Sequence, residues 1–173
     1  EPQCYPQFHV HPATRRPLHY IIEYTEPLQG NENAFGLDLA ALAPHLKALE
    51  LGRDSGDIVA TERITLVQDA SGEPGFVARA PVYRNGLPLQ TTAQRREALE
   101  GFVAIVFRVN ALMREVLDPA LLEHLHVRIE DGGFQQGKPP APGVDTLLYD
   151  SDGRVETHQE SGENVPGLTA QTV

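Results

Sequence analysis

The chain has 173 residues, 40% apolar and 22% charged, a globular composition long enough to bury a core in one ordinary domain or two small modules. Fourteen Lys and Arg stand against 24 Asp and Glu, and the net charge of −10 argues against a nucleic-acid surface and against attraction to anionic lipid. A single cysteine, Cys4, excludes an intramolecular disulfide, and no uncharged apolar run approaches membrane-spanning length.

The start at Glu1-Pro2 carries no basic-then-apolar leader, so the sequence reads either as a mature soluble protein or as a segment of a longer one. Phe8-His9-Val10-His11 alternates like a short strand, with both histidines on one face. A second His-x-His pair follows at His124 and His126. Zinc needs three or four converging ligands, and nothing in the sequence brings the two pairs together or adds a thiolate. Leu18 to Tyr24 reads as a strand stopped by Glu26-Pro27. Asp38 is a candidate N-cap for a helix whose apolar stripe runs through Leu39, Leu42, Leu46 and Leu49. Pro44 inside that stripe means either a kink or a helix that begins near it. His45 lies at the edge of the stripe.

Ile58 to Thr61 leads into the segment from Glu62 to Tyr83, whose β-branched and aromatic arms flank the turn formers of Asp69-Ala-Ser-Gly-Glu-Pro74. That pattern predicts an antiparallel hairpin. Alternation puts Phe76, Ala78, Ala80 and Val82 on one face and Val77, Arg79, Pro81 and Tyr83 on the other. Arg79 is the anomaly: it either points to solvent from an open sheet face or reaches into a concavity that holds an anion. Thr91-x-x-Gln94 has the form of a capping box, predicting a short helix over 92–100 that stops at Gly101. Phe102 to Val109 reads as the most buried strand. Asn110 and Asp118-Pro119 each begin a further helical stretch. Strands are expected at Leu125–Ile129 and Val144–Tyr149, with a hairpin from Asp150–Gly153 into Arg154–Thr157 and a polar end beyond.

No phosphate-binding glycine loop, nucleophile elbow or cofactor motif is present, and Cys4 lacks an evident base. Such a chain is better suited to binding than to turnover. The order of elements predicts an α+β fold of two modules with antiparallel sheets, divided as residues 1–95 and 96–173.

The series Tyr20-Ile-Ile-Glu-Tyr-Thr-Glu-Pro27, Asn31, Ala34-x-Gly-Leu-Asp38, Ser55-Gly56, Thr61, Ile64-x-Leu-Val-Gln68, Gly75-Phe76, Pro81-Val-Tyr83, Gln94-Arg-Arg96, Leu99-x-Gly-Phe-Val103 and Phe107-Arg108 resembles the CHASE domain. That is the extracytoplasmic sensor module of bacterial receptor histidine kinases, of diguanylate cyclases and phosphodiesterases, and of plant cytokinin receptors. The resemblance implies two PAS-like modules after a stalk helix that is absent from this chain. The membrane-distal module (1–95) would hold a small ligand and the proximal one (96–173) would lead to the membrane of an anchored, homodimeric parent protein.

By comparison with the plant receptors, the pocket aspartate corresponds to His45, the rim threonine to Thr61, the backbone-bonding leucine to Val67, the pocket-floor threonine to Arg79 and an apolar pocket residue to Leu39. The expected ligand is thus a small anion held by Arg79 and His45, with Tyr20, Phe76, Val77 and Tyr83 as neighbours. No catalytic residue, cofactor, resident metal or nucleic-acid partner is expected. Three alternatives stay open: Arg79 paired internally with Glu23 or another acid, a metal enzyme using the His pairs, and a ligand-free dimerisation scaffold.

Overall fold

The structure, a computed structural model, describes residues 8–66, 72–133 and 145–152. Cys4, Val67 and the predicted hairpin into Arg154–Thr157 lie outside them, as does most of the loop after Asp131. The described residues form an α+β fold with antiparallel strands only.

Its centre is strand β3, Pro74–Tyr83. Strand β4, Leu99–Arg108, pairs with β3 from Gly75 through Tyr83 and so takes one whole edge. Short strands β1, Val59–Ala60, and β2, Ile64–Thr65, therefore share the other edge, Val59 opposite Arg79 and Ile64 opposite Gly75. The predicted hairpin is realised as β2 and β3. Gly75 is required where the strands crowd, because a Cβ there would sit 2.7 Å from the Phe107 carbonyl oxygen and 3.0 Å from Leu66.

Helix α1, Ala43–Ser55, begins with Pro44 in its first turn, the second of the two readings of that proline. Asp38 caps a separate 3-10 turn, Leu39–Ala41, by accepting from the Ala40 N–H. Gly56 ends α1 at φ 88°, a left-handed conformation that glycine adopts without a Cβ clash. Helix α2, Thr92–Ala98, carries the predicted capping box in both directions, Gln94 N to Thr91 Oγ1 and Thr91 N to Gln94 Oε1. It ends before Gly101 because β4 starts directly at Leu99. Helices α3, Val109–Val116, and α4, Pro119–Leu122, follow, the latter capped by Asp118 as expected. Strands β5, Arg128–Glu130, and β6, Leu147–Asp150, form a two-stranded sheet. The pairing of β4 with β3 crosses position 95, where the sequence was divided into two modules.

Two sequence readings are corrected. Leu18–Tyr24 is not a regular strand: its order comes from the bonds Ile22 N to Leu37 O, Gly36 N to Ile22 O and Leu39 N to Tyr20 O, with a single bridge between Ile21 and Asp38. Strand β4 is not the most buried strand but one of the most exposed, with Val103 62%, Ile105 61% and Val106 46% accessible. A continuous apolar run does not report how many neighbours a strand has, and β4 has one among the described residues.

The main apolar cluster joins Leu37, Leu39 and Leu49, with Tyr20, Ile22, Leu42 and Phe102 packed against it. A smaller one joins Ile64, Leu66 and Val77. Asp38 is fully buried beside the first and accepts four hydrogen bonds: from Thr14 Oγ1, His19 Nδ1, Tyr20 N and Ala40 N. One carboxylate thereby stitches the segment at 14–20 to the turn that precedes α1.

Candidate functional site

Side chains alternate along β3, so Val77 and Arg79 share a face; Val77 packs there on Ile64 and Leu66, while Arg79 and Tyr83 reach α1. Tyr83 Oη donates to the Arg53 carbonyl at 2.8 Å, on the last turn of the helix. Arg79 Nη2 lies 2.8 Å from His45 Nδ1, on the first turn. Strand and helix are thus pinned together at both ends of their contact.

A guanidinium only donates, so His45 Nδ1 must accept and the imidazole is neutral, with its proton on Nε2. Arg79 itself is 3% exposed, and its Nη1 is buried without any hydrogen-bond partner. Among the described residues it makes no ion pair. Glu23, the internal partner considered above, is exposed. Desolvation lowers the Arg79 pKa to about 10, so the side chain stays cationic at neutral pH. A buried charge without a counter-charge is costly, and an inward-facing donor left empty adds to the cost. The arrangement suits an anion that brings its own oxygens.

Burial, with the Arg79 charge as a second cause, lowers the His45 pKa from 6.5 to about 4. The unfolded imidazole therefore takes up its proton first as the pH falls. The neutral His45 costs no stability above about pH 6.5, and the domain loses about 3 kcal/mol as the pH drops from there to about 4. Urea unfolding at about pH 7.5 and about pH 5 should show a lower midpoint at the acid value. In His45→Gln that difference should shrink; an unchanged difference would contradict the assignment.

The other predicted residues take distinct places. Thr61 is 6% exposed and tied to the base of β3, its Oγ1 accepting from Val77 N at 3.1 Å and its own N–H donating to Val77 O. Leu39 sits in the main apolar cluster. Phe76 lies on the opposite sheet face from Arg79, stacked on Phe107 with centroids 4.8 Å apart. Tyr20 packs edge-on against Phe102 and accepts from Arg53 Nη1 at 3.2 Å. It also lines a small open cleft with Leu18, Ala40, Leu46 and Glu50. The structure therefore joins Arg79 to His45, ties Thr61 to the Val77 backbone two residues along β3, and leaves Tyr20 and Phe76 elsewhere.

Sequence reasoning gave no site role to Asp54, on the last turn of α1. Arg53 Nε and Arg96 Nε donate to its Oδ1 at 2.7 and 2.8 Å, Arg96 Nη2 to Oδ2, and Arg95 Nε to its carbonyl at 2.7 Å. Hydrogen bonds from Arg96 and then Arg53 hold its carboxyl far below the usual carboxylate range. The local sequence carries no signal for this role, because the partners of Asp54 on α2 lie 41 and 42 residues away.

The four histidines of the metal alternative do not converge. His11 Nε2 lies against the Phe35 carbonyl, and His126 Nε2 pairs with Asp150 at 2.8 Å. The single cluster of ligating side chains among the described residues is His126, Asp150 and Asp152, and there Arg128 Nη1 already approaches Asp150 at 3.4 Å.

Compared with known families, residues 1–144 match the model of the CHASE domain. This places the chain among the sensor domains of signalling receptors, which are extracytoplasmic and sensory rather than catalytic. The chain belongs to the CHASE domain family. No curated protein matches it. Among the described residues no helix is long and apolar enough to cross a membrane.

Proposed function

We propose that this domain takes up a small anionic signal at Arg79 and His45 and relays it to a cytoplasmic output, either a histidine kinase or a cyclic-di-GMP cyclase or phosphodiesterase. In this reading the parent protein is anchored in the inner membrane and works as a homodimer, and the domain lies in the periplasm. Residues 1–95 are the distal PAS-like module and 96–173 the proximal one. The observation that carries the proposal is the buried guanidinium of Arg79, with one donor empty and no carboxylate beside it among the described residues.

The relay follows from the same contact. An anion on Arg79 competes with His45 for the guanidinium, so occupancy changes how α1 sits on β3. Because α1 is also held by Arg95 and Arg96 of α2, and α2 runs directly into β4, a shift at His45 reaches the second half of the chain. Ligand and conformation are then linked through differential affinity for two placements of α1.

A thermal-shift screen pairing each anion with a neutral isostere tests this: acetate with acetamide, benzoate with benzamide, and phosphate beside adenine. The expected result is stabilisation by one or more anions and not by their neutral partners. Stabilisation by adenine or the amides alone would refute the anionic reading.

A further inference from the structure

His45 stands where an arriving anion changes what it is bonded to. It is half-buried in the first turn of α1, within reach of solvent, and its Nδ1 accepts from Arg79 Nη2 at 2.8 Å. A protonated Nδ1 is a donor, and a guanidinium has no acceptor to offer it. The Arg79 contact and a proton on Nδ1 therefore exclude each other.

An anion lifts that exclusion. Its oxygens accept from the guanidinium, which leaves Nδ1 without a donor, and a protonated Nδ1 can then donate to the same anion. Resting on the anionic reading above, we propose that His45 takes up one proton from solvent as the anion binds, so that the site senses its anion and the acidity of the medium together. The Nδ1 lone pair receives the proton, the anion keeps its charge, and an imidazolium and a guanidinium hold one ligand between them.

Among the described residues, Arg79 is the one charged group acting on His45. Of the elements packed on α1, the 3-10 turn Leu39–Ala41 and β1 carry no charged residue, and the arginines of α2 are engaged with Asp54 at the far end of the helix. On α1 itself Lys47 pairs with Glu62, and Glu50 is exposed. Without ligand, burial and then the Arg79 charge keep the His45 pKa at about 4. An anion offsets the second cause and favours the charged ring, so the bound value should return to about 6.5.

Calorimetric titration with acetate, benzoate and sulfate, at about pH 5.5 and about pH 7.5 and in two buffers of different ionisation heat, counts the protons. Affinity should be about tenfold tighter at the acid pH, with about one proton taken up per anion there and about a tenth of one at the higher pH. In His45→Gln both the pH dependence and the proton uptake should disappear. The His45 ring signals of the wild type, assigned by their loss in that variant, should titrate near about pH 6.5 in saturating benzoate and stay those of a neutral ring down to about pH 5 without it. Anions that bind without taking up a proton, or a His45 ring that titrates alike with and without benzoate, would overturn this inference and leave the anionic reading standing. Saturable binding of none of the three anions at either pH would overturn both.

Discussion

Arg79→Met should give a domain that is more stable without ligand than the wild type and no longer responds to anions. Methionine fills a similar volume and leaves no charge. The variant loses one hydrogen bond to His45. It also loses the desolvated cation and its empty Nη1 donor. Exchanging a buried, poorly compensated charge for an apolar side chain commonly stabilises by about 1–4 kcal/mol. His45 then also sheds the second cause of its lowered pKa, so the acid sensitivity described above should soften. Binding of any anion found in the screen should weaken by about 30-fold or more, the scale of removing one partner from a buried charge-assisted contact. Denaturant unfolding and calorimetric titration of the two proteins measure both halves. Opposite signs for stability and binding mark a residue kept for its ligand; loss of both would mark Arg79 as a structural strut.

Asp38→Ala should be the most damaging single change in the chain. The substitution strips partners from the Tyr20 and Ala40 N–H groups and from Thr14 and His19 at once. With Asp38 itself fully buried, the cost should be about 3–5 kcal/mol and the melting temperature should fall by about 10 °C. Asp38→Asn, which keeps two acceptor lone pairs but turns donors toward Thr14 and His19, should fall between. Burial pushes the Asp38 carboxyl up, but its four hydrogen bonds together outweigh that and hold it below its usual value. Its contribution is thus present at neutral pH and is lost as the pH falls through the carboxylate range. A melting temperature unmoved by Asp38→Ala would mean that the segment at 14–20 does not depend on this carboxylate.

The contrast between these two residues shows what the sequence made legible. Asp38 reads as an N-cap because capping is local, and it does cap, but the 3-10 turn Leu39–Ala41 and not the helix expected to run on through Leu49, which starts at Ala43. Its larger role as a tie for Thr14 and His19 depends on partners 24 and 19 residues away, which no local pattern encodes. Arg79 was visible as a cation interrupting an apolar face, because strand alternation is a local rule. Its meeting with His45 is not local, and came instead from the family resemblance. β4 was misjudged for the complementary reason: Phe102 to Phe107 has the composition of a central strand, while its exposure, with one strand neighbour among the described residues, is decided by the rest of the sheet. Helix boundaries set by Pro44, Thr91 and Pro119 were legible because each residue fixes its own backbone geometry or supplies a cap.

The most direct test of the central claim is an NMR titration that follows the guanidinium protons of Arg79, assigned by their absence in Arg79→Met, as benzoate and then benzamide are added. The account predicts that an anion moves and protects the Nη1 protons while the neutral amide leaves them in place, since an empty buried donor is what an anion would fill. Guanidinium signals that stay unchanged while other residues report saturable binding would contradict it.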